Sequence, residues 1–599
     1  MTNPTLSRLA ALREAMQQHG VAAVMVPSAD PHLSEYLPAH WSAREWLSGF
    51  TGSAGTLVVT ADHAGLWTDS RYFSQAEEQL RDSGIKLMKL RVPHTPEHME
   101  WLAQQLREGD VLAVAGDSLA LSMQGQIERQ LAASGASLRT DLDLPGAIWS
   151  DRPPLPLAPV VAHDPQFATT RRADKLKRVR QAMRKLDASH HLLSSLDDIA
   201  WLTNLRGSDV ECNPVFLAHL LLQPNDRATL FVQRSKLDDA LVAALAADGI
   251  SIADYASTTS TLAELSEADS LLLDESRVVS TIAAAVAPGV RRIRGPNPST
   301  AFKAVKTGAE LDHIREVMRR DGVALVRGFR RLEQRLAAGM TVTELDVDSL
   351  LHEERSAQPG WVGESFATIA GYQANGALPH YRALPEAHST LQARGLLLVD
   401  SGGQYLGGTT DITRVLALGE TTTEQRRDAT LVLKGMIALS RARFPRGASG
   451  PQLDALARAP LWASGMDYGH GTGHGVGYFL NVHEGPHGIR PPREGGTLVP
   501  LEPGMITSIE PGVYKPGRHG IRHENLAVVI EVERSEFGEY RAFETLTLCP
   551  FDRRALEPDL LNPDERAWLD DYHATVRAAL GPLLEDADLE WLNRHCAPL

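Results

Sequence analysis

Cysteine is scarce. The 599 residues contain three, Cys212, Cys549 and Cys596, scattered and odd in number. That excludes a disulfide-stapled framework and fits a reducing compartment, so a cytoplasmic location is expected. Long apolar runs are also missing. No stretch approaches about 18 uninterrupted apolar residues, so no membrane-spanning helix and no membrane partner are expected. Near the start, Leu6, Leu9, Leu12 and Met16 recur at helical spacing among charges. That predicts an amphipathic helix and not a signal-peptide core. Positive charge is in deficit: 60 Lys and Arg face 75 Asp and Glu, a formal charge of −15. Nucleic acid, which demands basic patches, is not an expected partner. What remains is ordinary globular material, 43% hydrophobic and 23% charged, long enough for several domains.

Two proline-bearing stretches divide the chain. The first, residues 143–161, contains Pro145, Pro153, Pro154, Pro156 and Pro159 and reads as a linker or crossing segment. The second, GPNPST at 295–300, precedes Thr307 and Glu310, a capping-box pair that predicts a long helix to about Leu336. Domains over 1–150, 151–303 and 304–599 are expected. The first two look related. WLSGFTGS from Trp46 aligns with WLTNLRGS from Trp201. Each is followed by two apolar runs, Leu57–Thr60 and Gly65–Thr68, then Leu217–Gln223 and Ala228–Val232. Shared order predicts duplicated α/β domains. The third domain mixes helices with strands in antiparallel-looking pairs, an α+β pattern. Thr421 to Glu424 is expected to cap a helix running to about Phe444. Leu396–Val399 and Thr410–Leu416 are expected to flank a glycine-rich turn, and Met505–Glu510 to pair with Glu524–Glu533.

Acidic residues and histidines gather at strand ends in this third domain. Asp400 closes the run LLLVD, and Asp411 begins DITRVLAL. GHGTGHGVG contains His470 and His474, and His483 follows in NVHEGP. Glu510 ends ITSIE, and Glu524 begins ENLAVV. Singly, each has a plain reading as a turn former, a solvated strand end or a packed imidazole. Asp400 is harder to explain so, because a charge beside an apolar strand needs a partner. Together, four carboxylates and one imidazole make a hard anionic ligand set. Two divalent cations would neutralise it. Such a set favours Mn2+, with Co2+ or Zn2+ as alternatives, over a thiolate-rich zinc site. His380, His470 and His483 are left to polarise a carbonyl or support ligands.

Four segments carry a resemblance: LLVDSGGQYLGGTTDITR, GHGTGHGVGYFLNVHEGP, MITSIEPGVY and GIRHENLAVV. Together they resemble aminopeptidase P, and more closely the large three-domain form, the Xaa-Pro aminopeptidases. SGFTGSAGTLVVT with LWTDSRYFSQA is similar to that family's first domain, WLTNLRGSDVECNPVF to its second, and the tail from Glu544 to its C-terminal extension. The resemblance implies a pita-bread catalytic domain behind two domains like the N-terminal domain of creatinase. It implies hydrolysis of the bond before a penultimate proline, on peptides with proline at position 2. It implies two metal ions, usually manganese, on Asp400, Asp411, His474, Glu510 and Glu524, with Asp411 and Glu524 bridging. It implies His380, His470 and His483 as substrate-binding and transition-state histidines, Glu510 as proton carrier, and a homodimer. One departure is visible: His523 stands before the last glutamate where the family often has an apolar residue, and strand alternation should turn it away from Glu524. Prolidase shares the ligands but is usually shorter, and a metal-free binding protein on this fold would lack them.

Overall fold

The computed structural model describes residues 3–91, 96–492 and 498–599. They form two compact units, one of residues up to 163 with 170–300, the other of 164–169 with 301–599.

The first unit contains two six-stranded sheets. From edge to edge, one runs Lys86–Lys89, Ala64–Thr68, Thr56–Thr60, Ala23–Pro27, Val111–Ala113, Ser137–Arg139. The other runs Ile250–Ala253, Ala228–Phe231, His219–Leu222, His190–Leu193, Ser270–Leu273, Arg291–Arg294. Strand order and direction match step for step: in each, the first strand in sequence pairs antiparallel on one side and parallel on the other. The aligned tryptophans also correspond, Trp46 in the helix Ala43–Ser48 and Trp201 in the helix Leu196–Thr203. Duplication is therefore visible in topology as well as in sequence. The predicted N-terminal helix spans Pro4–His19 and buries Leu9, Leu12 and Met16 but leaves Leu6 exposed. The proline-rich stretches are not wholly irregular. Asp143 caps a short helix, Leu144–Ile148, and Pro298–Ala304 is helical. Both place proline in the first turn, where its missing N–H costs nothing.

The second unit is the α+β pita-bread domain. A six-stranded sheet runs Phe444–Pro445, Gly538–Thr545, Asn525–Ser535, Ile506–Ile509, Gly473–Gly475, Glu484–Ile489. A three-stranded sheet runs Ile369–Tyr372, Leu396–Ser401, Ile412–Ala417. The helices Gly308–Ala337, Glu344–Ser356, Thr423–Ser440 and Gly450–Trp462 contribute to one large apolar core with these strands. The long helix begins at the predicted capping box: Glu310 N–H donates to Thr307 Oγ1 and Thr307 N–H to Glu310 Oε2. Its stripe Ile314, Val317, Met318, Leu325, Phe329 and Leu332 is buried.

Two expected details differ. The second capping box pairs Thr422 with Gln425, not Glu424, and its helix stops at Ser440 because Arg441 and Ala442 turn back on it. The link between Asp400 and Asp411 is not a simple turn. Gly403–Tyr405 and Gly408–Thr409 form a hairpin there, joined by Trp361–Glu364 into a separate small sheet.

Replacing Thr422 by Ala removes one partner of that box, at a cost of about 1 kcal/mol. Hydrogen exchange should show it as roughly fivefold faster exchange confined to the first turn of the Thr423–Ser440 helix.

Candidate metal centre

Strand pairing assembles the site. Asp400 lies opposite Thr413 in the three-stranded sheet, and Asp411 immediately precedes that partner strand. Glu510 follows the strand Ile506–Ile509, and Glu524 precedes the strand Asn525–Ser535, with Ile509 opposite Asn525. His474 sits at the middle of its strand, whose next residue pairs with Thr507. The strand approaches its neighbours closely because Gly473 and Gly475 flank His474. A Cβ would lie 1.9 Å from the Ser508 carbonyl oxygen at Gly473 and 2.1 Å from that of Glu484 at Gly475.

The result is a tight acidic cluster. One ligand atom from each of Asp411, His474 and Glu524 lies within 4.8 Å of the others. His474 Nε2 is 3.4 Å from Asp411 Oδ2 and 3.5 Å from Glu510 Oε1. His474 Nδ1 donates to the Gly475 carbonyl at 2.9 Å. A carbonyl only accepts, so Nδ1 carries a proton and Nε2 is the nitrogen that faces the cluster. Asp400 and Glu524 are each held by one oxygen only. Arg522 grips Asp400 Oδ2, and Thr413 donates to Glu524 Oε2 at 2.7 Å. Their other oxygens, Asp400 Oδ1 and Glu524 Oε1, are buried without a hydrogen bond.

Burial and mutual repulsion distort the titration of these groups. Burial pushes Asp400 up to about 6, against the pull of Arg522. Burial also raises Glu510, with His474 opposing. Glu524 is raised well above the usual carboxylate range by burial and then by Asp411. Burial pulls His474 down, but Asp411 and Glu510 outweigh it and hold it at about 9. Protons alone balance the carboxylates in this way. Divalent cations would supply the same charge while leaving every carboxylate ionised and His474 neutral, as ligation requires. Buried carboxylates with two orphaned oxygens beside one imidazole make a hard donor set that fits a pair of hard cations.

Of the remaining histidines, His483 meets this cluster directly. The His483 ring stands edge-on to His474, 4.3 Å between centroids. His470 Nδ1 donates to the Gly471 carbonyl at 2.7 Å, and its Nε2 meets the Tyr514 hydroxyl at 2.8 Å. His380 lies half-buried in the turn after residues 373–377, next to Pro379, whose carbonyl accepts from Arg522 at 3.4 Å. His523 packs edge-on against Phe551, 5.4 Å between centroids, and burial drives its pKa down to about 3.

Three residues were not foreseen from the sequence. Arg522 donates to Tyr514 Oη at 2.7 Å and to Thr413 Oγ1 at 3.2 Å besides gripping Asp400. It thus links Asp400, Glu524 through Thr413, and His470 through Tyr514. Its place two residues before Glu524 was the available signal, since strand neighbours at that spacing share a face.

Comparison with known proteins agrees with this geometry. The model for metallopeptidase family M24 matches residues 312–531, and that for its C-terminal region matches 539–599. Two creatinase/prolidase N-terminal domain models match 8–149 and 151–310. A probable Xaa-Pro aminopeptidase P of Laccaria bicolor is 40% identical over 99% of this chain and 94% of its own length. One of Neurospora crassa is 40% identical over 100% of this chain and 90% of its own. The chain belongs to the Xaa-Pro aminopeptidase P family. Among solved structures, the X-prolyl aminopeptidase of Caenorhabditis elegans, described as a cytosolic enzyme with a di-nuclear active site, superposes with a TM-score of 0.95. It is 33% identical and is matched over 99% of this chain and 100% of its own. The pita-bread fold behind two creatinase-like domains, and a metallopeptidase with two divalent metals, are thereby shown for a chain of this family.

Replacing Arg522 by Leu strips Asp400 of its orienting partner. Competition with a chelator should show metal affinity lowered roughly 10- to 100-fold, the usual cost of removing such a support.

Proposed function

We propose that this chain removes the N-terminal residue from peptides whose second residue is proline, and that Asp400, Asp411, His474, Glu510 and Glu524 hold its two metals. The observation that supports this reading is that one ligand atom each of Asp411, His474 and Glu524 lies within 4.8 Å of the others, with a Glu524 oxygen buried and without a hydrogen bond. When bound, the metal pair polarises the scissile carbonyl and eases deprotonation of the attacking water.

The chain's own residues do the rest. Asp400, Asp411, His474, Glu510 and Glu524 would hold the pair, their carboxylates offsetting its charge and the His474 imidazole adding a nitrogen donor. Glu510 accepts the water proton and returns it to the departing proline nitrogen. That nitrogen comes from a tertiary amide and leaves only when protonated. His483, with His380, donates to the oxyanion that develops on the carbonyl. His470 is anchored through Tyr514 to Arg522 and shapes the proline side of the site. The absent N–H and fixed ring of proline set the pocket's preference.

Three finer statements belong to the same proposal. The metal is Mn2+, because the donors are carboxylates and one imidazole. The protein is cytoplasmic: the Caenorhabditis elegans structure is described as cytosolic, and among the described residues no helix is long and apolar enough to cross a membrane. It acts as a homodimer, as the family resemblance implies. The working domains are 1–150, 151–303 and 304–599.

The test offers an Xaa-Pro-Pro tripeptide, an Xaa-Pro dipeptide and a Met-Ala peptide to the stripped and Mn2+-reloaded protein. Release of the first residue, mainly from the tripeptide and only after reloading, is the expected result. Cleavage of the dipeptide alone would make the chain a prolidase. No cleavage of any peptide by fully loaded protein would remove the peptidase reading.

A further inference from the structure

His483 is carried on a strap that is restrained on both sides. Upstream, the Leu480 carbonyl accepts from Gln404 Nε2 at 2.8 Å and from Thr409 Oγ1 at 3.2 Å. The Leu480 N–H returns to Thr409 Oγ1 at 3.3 Å. Phe479, one residue earlier, has φ 49°, a left-handed conformation that costs a bulky residue energy and persists only where its surroundings enforce it. Such enforcement points to a strap whose exact path matters.

Downstream the restraint is ionic. Glu484 directly follows His483 and is 3% exposed. His483 lies in the bend that leads into the strand Glu484–Ile489, and the two side chains meet different partners. His483 stands against His474. Glu484 reaches Lys306 with one oxygen, in close contact, and Lys303 with the other at 3.6 Å. All three side chains are about 1% exposed. The lysines are themselves fixed. The Lys306 N–H donates to the Gly504 carbonyl at 3.0 Å, and Val305 bridges Met505, at the entry to the strand Ile506–Ile509 that Glu510 follows. The ion pair therefore ties the segment bearing His483 to the segment bearing Glu510.

A buried ion pair is a poor means of gaining stability, because desolvation consumes most of the attraction. Well-packed apolar side chains would serve the core as well. What an ion pair fixes better is position.

We propose that Glu484, clamped by Lys306 and Lys303, is a positioning residue that sets His483 for its role at the scissile carbonyl. This rests on the reading of His483 as an oxyanion donor. Glu484 touches neither substrate nor metal in this account and acts through His483.

The experiment compares four proteins, each fully metal-loaded, on an Xaa-Pro-Pro tripeptide. They are the unaltered chain, His483→Ala, the pair Glu484→Gln with Lys306→Met, and all three substitutions together. Glu484→Gln alone would strand two buried ammonium groups and risks misfolding, whereas the paired change leaves only that of Lys303, the more distant of the two. The paired change removes one charge of each sign and leaves the local net charge as it was. Thermal midpoint and metal content are read alongside kinetics. The expected result is a paired variant with two metals per chain and a near-normal midpoint, whose kcat falls roughly 10- to 100-fold with KM little changed. Adding His483→Ala to it should cost nothing further, because both changes remove one function. Normal kcat in the paired variant would overturn the positioning role while leaving His483 in place. Strictly additive losses would also overturn it, by showing that Glu484 acts elsewhere. Full activity in His483→Ala would instead remove the reading of His483 on which the proposal stands.

Discussion

Four carboxylates brought into one buried place are the constraint on which this structure turns. Left to themselves they repel, and burial penalises each one further. The chain meets that cost in three ways. Arg522 faces Asp400 as a fixed cation. Burial raises the pKa of Glu510 and Glu524, and Asp411 and Glu510 raise that of His474, so each holds a proton more readily than usual. One oxygen each of Asp400 and Glu524 stays buried without a hydrogen bond, and divalent cations would complete the balance. No arrangement of neutral side chains would need such provision. The site makes sense as a metal centre and is costly as anything else.

The rest of the second unit works to hold that cluster still. The clustered carboxylates sit at or beside the ends of paired strands, and His474 within one, where the ladder fixes the backbone. Arg414 reinforces this from behind. Its guanidinium donates to the Glu524 and Cys549 carbonyls and meets the Tyr572 hydroxyl at 2.9 Å. The C-terminal segment is thereby joined to the strand that follows Glu524. A hard cation pair tolerates little error in ligand placement, so rigid elements with buried supports suit it better than adaptable loops.

Much of this was legible in the sequence, where the signal was local. Thr307 with Glu310 announced the long helix, and alternating apolar runs announced the paired strands. Asp400 drew attention as a charge beside an apolar strand, and Asp411, Glu510 and Glu524 only as members of a set with it and His474. What was not legible depends on partners distant in sequence. Arg522 meets Asp400 across 122 residues, and Lys306 meets Glu484 across 178. Nothing local in either residue names its partner. The hairpin between Asp400 and Asp411 was hidden because its glycines suit a turn as well as short strands. The helix Pro298–Ala304 was hidden because proline, which breaks a helix interior, is accommodated in a first turn. The duplicated sheets lie between these cases: eight aligned residues hinted at them, and topology made the match plain.

The central claim is that two cations share this one cluster through Asp411 and Glu524. Electron paramagnetic resonance of the stripped protein during Mn2+ titration tests it directly. The account predicts saturation at two ions per chain, with the exchange-broadened spectrum of a coupled pair. Asp411→Asn should collapse that spectrum to isolated manganese. A single uncoupled ion at saturation in the unaltered chain, or coupling that survives loss of the Asp411 carboxylate, would contradict it.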